Sequence, residues 1–66
     1  MNRIKEIREQ KQVRQKDLAA AVGISQPYLH DLENCKRGAR PDTYKRIAEA
    51  LGVSVRDLFE DEEKVG

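Results

Sequence analysis

The sequence predicts an all-α fold, a compact bundle of five short helices, on three observations. Apolar residues recur at spacings of three and four along most of the chain, and nothing alternates as a strand would. Helix-starting and helix-ending residues (Ser25, Pro41 and Ser54; Gly23 and Gly52) punctuate those periodic segments. At 66 residues the chain is one small domain, which buries only about 60% of its unfolded surface but can fold alone. Residues 1–59 read as that domain and residues 60–66, EDEEKVG, as an acidic, frayed tail.

The first helix is expected over about residues 2–12, with Ile4 and Ile7 turned inward. The second spans 15–22, where Leu18, Ala19 and Val22 make one apolar face. Ala19 is small enough to let another helix approach closely, and Gly23 can take the left-handed conformation that ends the segment. Ser25 then caps a third helix expected over 26–35, with Ile24 and Leu29 at staple positions. Pro41 suits the first position of a fourth helix, in which Tyr44, Ile47, Ala48 and Leu51 share a face before Gly52 stops it. Ser54 and Asp57 form a capping box for a fifth, ending near Phe59, with Val53 and Leu58 as its staple. Ile4, Ile7, Val13, Leu18, Val22, Ile24, Leu29, Leu32, Ile47, Leu51, Val55, Leu58 and Phe59 are the predicted core.

Residues 15–34, QKDLAAAVGISQPYLHDLEN, have the spacing of a helix-turn-helix whose second helix enters the DNA major groove. Net charge is only +1, but its distribution is uneven. Residues 1–59 carry 12 basic and 8 acidic groups, a balance of +4. Arg3, Lys5, Arg8, Lys11, Arg14 and Lys16 precede or open the motif, and Lys36, Arg37, Arg40, Lys45 and Arg46 follow it. Basic clusters on both sides are the electrostatic footprint expected of a phosphate-contacting module.

On the third helix Leu29, Leu32 and Glu33 share one face. Pro27, His30, Asp31 and Asn34 lie opposite, with Gln26 and Tyr28 flanking them. The base-contact candidates are Gln26, matching adenine N6 and N7; Asp31, accepting from cytosine N4; and Pro27 and Tyr28, touching a thymine methyl. Tyr28 could instead hydrogen-bond a phosphate. The phosphate candidates are Gln15 and Lys16 at the start of the second helix, and Lys36, Arg37 and Arg40 in the following loop. Arg8 and Glu33, both on inward sides, form a candidate structural ion pair.

Catalysis is not expected. His30 and Cys35, five apart on one helix, point about 140° from each other and have no third orienting group. One cysteine allows neither an intramolecular disulfide nor a zinc site built from Cys ligands, and no cofactor or metal is expected. With no apolar run near the roughly 20 residues that span a bilayer, and no signal-peptide pattern, the expected location is the cytoplasm, at the nucleoid.

The strings RIKEIRE, QKDLAAAVGIS, LENCKRG and IAEALGVSVRDLF together resemble the Cro/repressor-type (XRE) helix-turn-helix family over about residues 2–59. The resemblance implies a lambda-repressor-like domain of five helices that binds operator DNA as a twofold dimer and regulates transcription. It implies that Gln15 meets the backbone, that Gln26 to Tyr28 and Asp31 face bases, and that Arg8 pairs with Glu33. The chain departs from the family pattern at three places. Arg14 stands where a Ser or Thr usually caps the second helix, at a cost of about 1 kcal/mol. Cys35 replaces the glycine that usually ends the recognition helix, so that helix is expected to run on toward Gly38. Pro27 limits its position to apolar contact. The leading expectation is a repressor, homodimeric on double-stranded DNA through the region after the fourth helix. The competing one is a protein-interaction module, such as an antitoxin or anti-repressor component, that keeps the fold but binds a protein partner.

Overall fold

The structure is a computed structural model that describes residues 2–59. Met1 and the acidic segment 60–66 lie outside the described residues. Among the described residues four α-helices follow one another, α1 (Ile4–Gln10), α2 (Gln15–Val22), α3 (Gln26–Glu33) and α4 (Pro41–Leu51), and then a 3-10 turn, Arg56–Leu58. Packing of α2 against both α3 and α4, and of α1 against α4, encloses one core. Ile4, Leu29, Leu32, Ile47 and Leu58 are fully buried, with Ile7, Leu18, Val22 and Leu51 almost so. Ala19 and Ala48 are buried among them, the small residues that let the packed helices come close.

All four helices end by one device. The residue after the last helical turn is left-handed, and the amide beyond it bonds back five residues, which satisfies carbonyls that the helix leaves open. Gly23 and Gly52 take the left-handed position in α2 and α4, with φ of 84° and 72°. The Ile24 and Val53 amides donate to the carbonyls of Ala19 and Ala48 at 3.0 and 2.9 Å. In α1 and α3 the same position falls to Gln12 and Cys35, with φ of 59° and 60°. The matching bonds run from Val13 to Arg8 at 3.0 Å and from Lys36 to Asp31 at 2.9 Å. A side chain in this conformation costs roughly 1–2 kcal/mol.

This corrects two helix ends: α1 stops at Gln10 rather than 12, and α3 at Glu33 rather than running through Cys35 toward Gly38. The expected fifth helix is also corrected. The Ser54–Asp57 box forms reciprocally, the Ser54 amide donating to Asp57 Oδ2 at 3.0 Å and the Asp57 amide to Ser54 Oγ at 3.3 Å. The amides of Asp57, Leu58 and Phe59 then donate to carbonyls three residues back, so the segment is one 3-10 turn and the described residues form four α-helices, not five. Its role is to close the fold: Leu58 is buried, and its carbonyl accepts the Arg3 amide at 2.6 Å. Because only Leu58 of this turn points inward, Val55 and Phe59 are not core residues; they are 38% and 46% exposed. Val13 and Ile24 are half-buried against the core.

Candidate nucleic-acid interface

The α2–α3 pair begins its two helices differently. Ser25 caps α3, its Oγ accepting the Tyr28 amide at 3.2 Å, with a proline in the first turn where an amide is not needed. Arg14 precedes α2 in an extended conformation and gives no side-chain cap. The first-turn amides of α2 thus keep their capacity to bind an anion.

A chain of polar side chains links these two helix starts to the interior. Arg8 Nε and Nη2 donate to the two carboxylate oxygens of Glu33, at 2.7 and 3.1 Å, and Nη1 donates to the Val13 carbonyl at 2.9 Å. The pair is buried, the Glu33 side chain to 1% exposure. A bidentate fork and an extra carbonyl satisfy these groups, as burial of two charges requires. Gln15 Nε2 donates to Glu33 Oε1 at 3.1 Å, and Gln26 Nε2 donates to Gln15 Oε1 at 3.2 Å. The order Arg8–Glu33–Gln15–Gln26 therefore runs from buried to exposed. Sequence reasoning reached the Arg8–Glu33 pair but not its extension. The i, i+18 and i, i+11 separations of these bonds leave no local pattern to read.

Two tyrosines, Tyr28 from the first turn of α3 and Tyr44 from α4, hold the loop 35–40 that follows α3. Tyr28 Oη donates to the Gly38 carbonyl at 3.2 Å, and the Ala39 amide donates to Tyr44 Oη at 3.2 Å. The Arg37 guanidinium lies over the Tyr28 ring, 5.1 Å from its centroid, and Tyr44 meets Phe59 edge-on at 5.0 Å and 75°. A cleft of about 320 Å³ opens beside the loop, and its lining includes Asn2, Cys35, Lys36, Arg37, Tyr44 and Phe59. Asn2 was not anticipated as a structural residue. Its Nδ2 donates to the Leu32 carbonyl at 2.8 Å while its Oδ1 accepts the Ile4 amide at 3.1 Å, which ties the start of α1 to the end of α3.

Of the sequence-derived base candidates, Gln26 and Pro27 are exposed on the first turn of α3, and Tyr28 and Asp31 are half-buried. Exposed His30 and Asn34 continue that surface, Asn34 Nδ2 donating to the His30 carbonyl at 2.8 Å. Of the phosphate candidates, Lys16, Lys36, Arg37 and Arg40 are exposed, and Gln15 is half-buried between its two partners. The structure thus gathers Gln15, Gln26 and Pro27 at the start of α3, and the loop that follows α3 folds back so that Arg37 lies over Tyr28 of that same first turn. His30 and Cys35 do not form a nucleophile pair. The nearest partner of the His30 ring is the Asn34 amide at 3.4 Å, and Cys35 Sγ accepts from Asn2 at 3.7 Å. No described helix is long and apolar enough to cross a membrane.

Residues 4–58 match the helix-turn-helix family. The chain belongs to that family, in its XRE-type branch. It is 39% identical over 64 residues, 97% of its length, to the HTH-type transcriptional regulator DdrOP3 of Deinococcus deserti, and it spans half the length of that regulator. Among solved structures it is similar to the restriction-modification controller protein C.AhdI of Aeromonas hydrophila, with 30% identity, a TM-score of 0.82 and 86% of each chain covered. It is also similar to the N-terminal DNA-binding domain of the biofilm regulator SinR of Bacillus subtilis. There the identity is 26% and the TM-score 0.72, over 97% of this chain and 94% of that one.

Proposed function

We propose that the protein is a DNA-binding transcriptional regulator, a repressor that reads a palindromic operator through the major groove as a homodimer. The observation that carries this reading is the polar chain from the buried Arg8–Glu33 pair to exposed Gln26, beside an α2 start that lacks a side-chain cap. Gln26 has two amide hydrogens and one carbonyl oxygen. One hydrogen goes to Gln15. The other hydrogen and the oxygen match N7 and N6 of adenine. Pro27 and Asp31 supply the neighbouring base contacts, and Gln15, Lys16, Lys36, Arg37 and Arg40 the phosphate contacts. Relatives described as a transcriptional regulator, a controller protein and a DNA-binding domain support the same reading.

Exposed Val55 and Phe59 offer a twofold contact between two copies, and that apolar contact also favours the second reading, a module that binds another protein. A regulator of this kind works at the nucleoid in the cytoplasm. Selection from random DNA duplexes at near-physiological salt tests the proposal. Enrichment of a motif with two inverted halves about one helical turn apart supports it. Binding that vanishes with salt and enriches nothing would move the function to the protein-binding module.

A further inference from the structure

We propose that Tyr28 is a positioning residue: with Tyr44 it clamps the loop 35–40 and holds Arg37 ready for a phosphate, and it reads no base. The inference rests on the DNA-binding reading and changes the role that the sequence suggests for Tyr28. The hydroxyl hydrogen and one ring face of this side chain are in use. Its hydroxyl donates to the Gly38 carbonyl at 3.2 Å, and its ring face carries the Arg37 guanidinium at 5.1 Å. The ring itself packs half-buried against the core, so reaching a base edge would mean leaving the core, the loop and the arginine together.

Tyr44 completes the clamp from α4 by accepting the Ala39 amide at 3.2 Å. Two hydroxyls from α3 and α4 therefore fix two consecutive loop residues. Stacking occupies the π face of a guanidinium and leaves its in-plane N–H fork available. Arg37 is accordingly pre-oriented and still able to bond a phosphate through two hydrogens, with less freedom lost on binding than a solvated arginine would lose.

The test compares Tyr28→Leu, Arg37→Ala and their double variant on the duplex the parent selects. Tyr28→Leu is expected to lower affinity roughly three- to tenfold on every sequence, and to reduce the slope of log affinity against log salt by about one. Arg37→Ala should do the same, the double variant should lose no more than either, and the selected motif should stay unchanged. Relaxed preference at one base step with the parent's salt slope would overturn the proposal, and so would additive losses in the double variant. The parent is the control: if it shows no salt-dependent duplex binding, the DNA-binding reading fails, whereas parent binding with an unaltered Tyr28→Leu slope defeats only the clamp. Amide exchange tests the clamp without DNA and without disturbing the core. Tyr44→Phe should speed exchange at Ala39 by about tenfold, with the α4 amides unchanged. An Ala39 rate equal to the parent's would refute the clamp.

Discussion

The two ends of α3 are held in different ways. Its first turn is capped by Ser25 and linked through Gln26 and Gln15 to a buried, bidentate ion pair. Its last turn passes through a left-handed Cys35 into a loop held by two tyrosine hydroxyls and one stacked arginine. Rigid placement suits groups that must meet a base edge within a fraction of an ångström, whereas phosphate attraction tolerates adjustment. On this account sequence reading and backbone binding are divided between a side chain fixed from the interior, Gln26, and one carried by the loop after α3, Arg37.

The largest loss is expected at Glu33, where the first turn of α3 is tied to the interior. Glu33→Ala leaves the Arg8 guanidinium buried without its carboxylate and should cost about 3–5 kcal/mol in urea unfolding. Arg8→Met with Glu33→Leu should recover most of that stability, since no charge is then stranded. It would still leave Gln15 without its acceptor, so fold and Gln26 placement can be separated. A double variant as unstable as Glu33→Ala would show that the pair, and not the stranded charge, carries the stability.

The loop end is sharpened in the opposite direction. Cys35→Gly relieves a side chain at φ 60° and should raise stability by up to about 1 kcal/mol, visible as a higher Tm. Destabilisation would mean that the Cys35 contact with Asn2 outweighs the backbone strain.

The smallest effect lies away from both ends, at the C-terminal turn. The Ser54 amide, then the Ser54 hydroxyl, bond the Asp57 carboxylate and lower its pKa; desolvation opposes them, and Arg3 and Arg56 each lower it by less than desolvation raises it. A folded pKa below the unfolded one means that the unfolded state binds more protons in acid. The stability is therefore fully present above the unfolded value, about 3.9, and is lost as pH falls through the folded value. Asp57→Asn should flatten the stability profile below about pH 4 and leave its slope at neutral pH as in the parent. An unchanged acid limb would remove Asp57 from this account.

The sequence was most legible where glycine stands at a helix end. The predicted spans of α2 and α4 agree with the structure because Gly23 and Gly52 mark the left-handed position openly. At α1 and α3 the same backbone geometry is adopted by Gln12 and Cys35, residues that carry no such signal, and both helices end earlier than periodicity predicts. The capping box at Ser54 was readable, but a box does not reveal whether i+3 or i+4 bonds follow it. At the candidate interface, exposure of Gln26 and Pro27 followed from helical periodicity. The Gln15–Glu33, Tyr28–Gly38 and Tyr44–Ala39 bonds join residues through tertiary packing, and no sequence spacing encodes them.

The most direct test sets Gln26→Ala against Arg37→Ala, measuring both the selected motif and the salt dependence of affinity for each. Gln26→Ala should relax preference at one base step by about 1–3 kcal/mol and leave the salt slope alone. Arg37→Ala should lower that slope by about one and leave the motif alone. If both variants change both quantities alike, the division of labour between Gln26 and Arg37 is contradicted.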